Sequence, residues 1–206
     1  MVNAAERNRS VFARSHWRRW RVLYVLLAVC VAPVLASYLA YYVVPPGDRT
    51  NYGDLVQPQR PIPALALRQP DDSAFETVEL RGRWVMLHVD AGECAETCQQ
   101  KLWQMRQLRL TAGKERDRIE RVFLIIDETP LQTLLLREFE GTLFLRARSA
   151  ELRQFLALPE TPDATLFDHL WLLDPLGNQM LRWPREADPN RMKRDLGRLL
   201  KASQIG

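Results

Sequence analysis

Twenty-three consecutive residues without a charge, Val22 to Val44 (VLYVLLAVCVAPVLASYLAYYVV), constrain this 206-residue chain more than any other feature. At the helical rise of about 1.5 Å per residue, such a run crosses a hydrocarbon core of about 30 Å with some tilt. Trp17 and Trp20 precede it and Tyr38, Tyr41 and Tyr42 close it, as expected of aromatic belts at the two membrane surfaces. Ahead of it, residues 1–21 carry six arginines against the single acid Glu6. This basic flank predicts an arm that stays in the cytoplasm, so that 22–44 is a single transmembrane helix and everything after Pro45 lies on the far side of a bacterial-type inner membrane, in the periplasm. The competing reading is a cleaved signal peptide, because Val34-Leu35-Ala36 resembles a small-residue cleavage site. Against it, the apolar run continues for eight residues past Ala36. Within the span, Pro33 reads as a tolerated kink and Cys30 as a small apolar residue.

Locating the charge also settles what the rest of the chain is not. The net charge of +4 belongs to the arm, since residues 45–206 hold 23 basic and 24 acidic side chains. A nearly neutral domain lacks the electrostatic footprint of a nucleic-acid binder. Pro45, Pro46, Gly47, Pro58, Pro61 and Pro63 mark 45–63 as an extended, proline-rich linker rather than a packed element. Residues 64–206 are then one domain, long enough to bury a core without metal or disulfide staples.

That domain alternates strand and helix patterns. Phe75–Leu80 alternates like a half-exposed strand, and Trp84–Val89 is a near-continuous apolar run of the kind buried on both faces. Cys98, Leu102, Met105 and Leu108 recur at helical spacing, with Gly113 as a stop. A second buried strand at 122–126 follows, then a helical stretch from Leu131 to Phe139 ended by Gly141, which implies a right-handed parallel crossover. After a short helix over 150–156, the apolar runs 170–173 and 179–183 flank Asp174-Pro175-Leu176-Gly177-Asn178, a hairpin signal. Asp188-Pro189 opens a last helix with Met192, Leu196, Leu199 and Leu200 on one face. A βαβ half followed by a ββα half is the arrangement of a thioredoxin-like α/β domain, here preceded by a single transmembrane helix.

Cys94 and Cys98 stand four apart where the first buried strand passes into its helix. Amides at a helix N-terminus favour thiolate over thiol, and a spacing of four stacks the two residues on one helical face. Three readings stay open. A structural disulfide is natural for two exported cysteines, although a ring this small stabilises by only about 2 kcal/mol. A redox pair is the second. The third is a soft-metal site: two thiolates suit copper(I), whereas a structural zinc wants four donors that the sequence does not offer. Of the histidines in the domain, His88 lies inside an apolar strand and reads as a core residue. His169 stands at the start of a strand expected beside the cysteine-bearing one, which brings it towards the two sulfurs; Asp168 either orients its ring or caps the turn.

These residues resemble the Sco/SenC family of membrane-anchored copper chaperones that serve cytochrome c oxidase assembly. Asn51-Tyr52-Gly53 looks like that family's leading segment, and Cys94-Ala95-Glu96-Thr97-Cys98 has its C-x-x-x-C spacing. Ile126-Asp127-Glu128-Thr129-Pro130 is similar to its second-strand end, and Asp168-His169 followed by Asp174-Pro175-Leu176-Gly177 to its histidine segment. The resemblance implies Cys94, Cys98 and His169 as ligands of a copper ion, Cu(I) or Cu(II). It also implies the apo copper-site subunit of cytochrome c oxidase, or another periplasmic thiol protein, as partner. The chain departs from the family at Ala95 and Gln99, where prolines are usual, at Asp90-Ala91-Gly92-Glu93, which lacks aromatic residues, and in the short interval of 71 residues from Cys98 to His169. Three functions follow: a copper chaperone working by ligand exchange without turnover chemistry; a thiol-disulfide oxidoreductase in which Cys94, as the more exposed sulfur, attacks and Cys98 resolves; and a tethered, non-catalytic assembly factor whose cysteines form an inert bridge.

Overall fold

The computed structural model describes residues 4–42 and 51–203, with side chains in the first segment from Trp20 onward, Tyr41 excepted. Two units result, one ending at Thr50 and one beginning at Asn51. In the first, a single helix α1 (Ala4–Tyr42) runs without a break through the arginine-rich arm and the apolar run, Pro33 included. Its Trp20–Ala40 stretch is long and apolar enough to cross a membrane, and none of it is buried against protein. Val43 and Val44 of the expected span, and Pro45, Pro46 and Gly47 of the expected linker, lie outside the described residues.

In the second unit, strands β1 (Asp54–Pro61), β2 (Leu67–Arg68), β3 (Ala74–Phe75), β4 (Trp84–Asp90), β5 (Ile119–Ile125), β6 (Leu143–Arg146), β7 (Leu170–Leu173) and β8 (Asn178–Trp183) form one mixed sheet. Their order is β1-β8-β7-β4-β5-β6-β2-β3. The helices are α2 (Glu96–Thr111), α3 (Thr133–Glu138), α4 (Ser149–Phe155) and α5 (Pro189–Ala202). β4, β5 and β6 are parallel, while β7 pairs antiparallel with β4 and β8 with β7. The expected crossover and hairpin are therefore present.

The core has two halves, one on each face of the sheet. Trp84 and Met86 point to the side covered by Cys98, Leu102, Met105 and Leu108 of α2 and by Met192, Leu196 and Leu200 of α5. Val85, Leu87 and Val89 point to the side covered by Leu152 and Phe155 of α4. Burial on both faces explains why β4 reads as continuously apolar rather than alternating. The β7–β8 turn closes on Asp174, whose Oδ1 accepts from Leu176 N (3.0 Å) and Asn178 N (2.7 Å), while Gly177 takes the left-handed φ of 88° that a side chain would strain. At α5, Asp188 caps the amides of Asn190 and Arg191 and Pro189 takes the first helical position.

Three expectations are corrected. Residues 75–80 are not one strand: after β3 the chain makes a 3₁₀ turn over Thr77–Leu80, because Glu79 Oε1 reaches back to Glu76 N (3.1 Å) in a capping box and the buried pair Thr77 and Leu80 recurs every three residues. The described part of the proline-rich linker is extended but not free, since β1 pairs antiparallel with β8 along the sheet edge. Pro58 falls between the paired Leu55 and Arg60, where no ladder bond is required of it, and an edge strand tolerates proline. The folded unit thus begins at Asn51 rather than Ala64. β2 and β6, two and four residues long, have too little pattern to be read from sequence.

The start of this unit is fastened by one buried carboxylate. Asp195 of α5 accepts from Tyr52 N (3.0 Å), Gly53 N (2.8 Å) and Trp183 Nε1 (3.3 Å). Gly53 is needed there because a Cβ would sit 2.8 Å from Leu181 Cγ. Removing the carboxylate strands three donors, two of them fully buried, so Asp195→Ala is expected to destabilise the domain by about 3 kcal/mol. Denaturant melting of the two proteins checks this, and an unchanged midpoint contradicts it.

Candidate metal and thiol site

The carboxyl end of β4 delivers the chain into the loop that carries the first cysteine. Gly92 N donates to Asp127 Oδ1 (2.9 Å), which ties this loop to the one following β5. The approach is close enough that a Cβ on Gly92 would meet Thr129 O at 2.7 Å. Burial pulls the Asp127 pKa up, but the bonds from Gly92 and Thr129 outweigh it and hold the carboxyl below its usual range. Cys94 then takes a left-handed backbone, φ 44°, before Ala95 takes the N-cap position of α2. For a residue with a side chain that conformation costs about 1–2 kcal/mol. Gln99 braces it: Gln99 Nε2 donates to Cys94 O (3.0 Å).

Cys94 and Cys98 are joined as a disulfide, with Cα atoms 5.1 Å apart. Helical stacking is not what unites them, since Cys94 precedes the helix and only Cys98, its third residue, belongs to it. Nor is Cys94 the more exposed sulfur, for both cysteines are 1% exposed. The left-handed turn folds Cys94 inward over the first turn of α2.

His169 stands at the entrance to β7, one residue before Leu170, which pairs with His88 across the sheet. Its Nδ1 lies 2.9 Å from Trp183 O; a carbonyl can only accept, so Nδ1 carries the proton and Nε2 the lone pair. Asp168 does not orient this ring. It caps its own turn by accepting from Thr165 N and Oγ1 and pairs with Arg185. The His169 ring rests edge-on against Trp171, which belongs to the core half opposite the cysteines. His88, Asp90 and Cys98 place ligand atoms within 4.8 Å of one another, the one such group found among the described residues, and neither Cys94 nor His169 is in it.

The sequence reads His88 as core and gives Asp90 no role as a ligand, although their spacing of two puts both on the face of β4 that α2 covers. His88 is a core residue, as its surroundings suggested, fully buried and stacked on Phe123. Its Nε2 is nevertheless unpartnered. A groove of about 650 Å³ is lined by Thr97 and Lys101 of α2 and by Phe167, Asp168 and Arg185.

The sheet order, the βαβ and ββα halves and a cysteine pair at the head of the first domain helix define a thioredoxin-like domain. A family model described as "Transmembrane-like, thioredoxin-like, C-terminal domain" matches residues 84–203, and the chain belongs to that family. It is 30% identical over 157 residues to a "putative copper-binding protein" of Stutzerimonas stutzeri, covering 69% of this chain and 72% of that one. Yeast Sco1 superposes with a TM-score of 0.57 at 15% identity over 72% of this chain and 98% of that one. Bradyrhizobium japonicum ScoI, solved with copper bound, does so with a TM-score of 0.50 at 19% identity over 66% and 97%. The resemblance to the Sco/SenC family seen in the motifs thus extends to the fold.

Burial lowers the pKa of both histidines, more than Asp90 restores for His88 or the Trp183 carbonyl for His169. An unfolded chain binds protons at its histidines below about pH 6.5 while the folded one resists, so stability is full above that value and is lost as pH falls through it. The melting temperature of the domain is expected to drop from about pH 7.5 to about pH 5, and His88→Phe, which leaves no ring to protonate beside Phe123, flattens the drop. A wild-type profile with no decline over that window contradicts this.

Proposed function

We propose that the chain is a membrane-anchored, Sco-like copper-binding protein in which Cys94 and Cys98, once reduced, hold copper(I) as thiolates, with the His169 imidazole, drawn from its resting place against Trp171, as third donor. One observation carries the reading: two cysteines brought into bonding contact at the mouth of α2, in a fold shared with copper-loaded proteins. The donor set fits the ion, because two thiolates and an imidazole are soft to borderline ligands that suit copper(I) and its low coordination number. The copper is cargo, supplied to the copper-site subunit of cytochrome c oxidase on the periplasmic face by ligand exchange, and the chain's own residues act as its donors. Helix α1 supplies the anchor, with the arginine-rich end cytoplasmic and the domain periplasmic.

A second reading rests on the disulfide itself. Periplasmic thiol-disulfide exchange needs only a partner thiolate attacking one sulfur of this bond and the other sulfur leaving as thiolate, and it requires neither metal nor His169.

Anaerobic titration of the reduced full-length protein in detergent with copper(I), against a competing chelator, separates the two. The expected result is one tightly bound copper that is lost in Cys94→Ser and in Cys98→Ser and bound about tenfold more weakly in His169→Ala. A wild-type protein that does not compete for copper(I) rejects the copper reading and leaves thiol exchange.

A further inference from the structure

The carboxyl end of β4 gathers a set of donors that the copper(I) reading does not use. His88 is fully buried, and its two ring nitrogens are distinguishable. Nδ1 lies 3.3 Å from His169 O, an acceptor only, so Nδ1 carries the proton and the lone pair is on Nε2. Nε2 makes no hydrogen bond. It faces Asp90 Oδ2 across 3.5 Å and, with the Cys98 sulfur, completes the triangle of ligand atoms within 4.8 Å. In this tautomer a nitrogen lone pair, a carboxylate oxygen and a sulfur lie together with no hydrogen between them. The opposite tautomer only moves the mismatch, since it turns the Nδ1 lone pair against the His169 carbonyl, and a ring protonated at both nitrogens pairs with Asp90 but leaves the sulfur out. A cation satisfies all three atoms at once, where an unpartnered buried donor or acceptor otherwise costs free energy.

We propose that His88 Nε2, the Asp90 carboxylate and the Cys98 thiolate form a binding site for a borderline divalent transition-metal ion of the zinc(II) and cobalt(II) class. One imidazole, one carboxylate and one thiolate are mixed in softness, which favours such an ion over copper(I), and three protein ligands leave a fourth position open. Each donor is positioned by the fold. The Nδ1 contact to the His169 carbonyl orients the His88 ring, Asp90 Oδ1 is fixed by Ala91 N (2.8 Å) so that Oδ2 turns to the site, and Cys98 is held in the first turn of α2. The site goes beyond the copper(I) reading and shares only Cys98 with it. Because both sites draw on that sulfur, the two metals compete for it, and neither binds until the bond to Cys94 is reduced.

The test titrates the reduced full-length protein, anaerobically in detergent, with cobalt(II), followed by visible absorption. The expected result is a sulfur-to-cobalt charge-transfer band together with the intense d–d bands of a four-coordinate ion, displaced by zinc(II). These bands are absent in His88→Phe and Cys98→Ser, appear with about tenfold weaker affinity in Asp90→Asn, and persist in Cys94→Ser and His169→Ala. His88→Gln, which keeps a polar side chain in the slot, serves if His88→Phe does not fold as judged by circular dichroism. A wild-type protein without the cobalt–sulfur band, or bands that survive both His88 substitutions, overturns the site. Cobalt binding in a protein that fails to bind copper(I) supports this site and removes the copper reading alone.

Discussion

Strand β4 is hydrogen-bonded on both edges and packed on both faces, and every chemical feature of the domain hangs from its carboxyl end. Its register against β5 runs from Trp84–Ile119 to Asp90–Ile125, and against β7 from Val85–Leu173 to His88–Leu170. A slip of one residue would turn Met86 and His88 into the half-core of Leu87 and Val89, so the register is firmly held. From that fixed end the loop through Gly92 is tied to Asp127, Cys94 is turned inward, and Cys98 enters α2 beneath it. The same pairing sets the His169 backbone carbonyl against the His88 ring. The thiol pair and both histidines are therefore parts of one packed structure.

Burial governs the chemistry that this placement permits. Removing the histidines from water favours their neutral, metal-binding form, and carbonyl partners at both Nδ1 atoms assign the lone pair to Nε2 in each ring. A ring as short as that closed by Cys94 and Cys98 adds only about 2 kcal/mol by loop closure. A domain with two well-filled half-cores does not depend on that contribution. The left-handed Cys94 is instead a local cost met by the surrounding bonds, a pattern found where conformation serves function.

The long elements were legible in the sequence because each carries one strong pattern: the uncharged run of α1, the doubly apolar β4 and β5, the four-residue spacing in α2, the Asp-Pro signals before α5 and in the β7–β8 turn. What escaped was decided by contacts rather than by pattern. β1 is a strand because β8 offers it an edge, and residues 77–80 leave the sheet because Glu79 caps Glu76. At the site, the cysteine pair and the interest of His169 were visible, but the choice between Asp168 as ring orienter and as turn cap was not, because it depends on Thr165 and Arg185. His88 was classed correctly as buried. Its unpartnered Nε2 is a property of the assembled sheet, and only the shared face with Asp90 hinted at it.

X-ray absorption at the copper edge of the copper(I)-loaded full-length protein tests the central claim most directly, because it counts the atoms around the metal without disturbing the chain. The account predicts two sulfur scatterers and an imidazole. A shell of nitrogen and oxygen alone, with no sulfur, would contradict it.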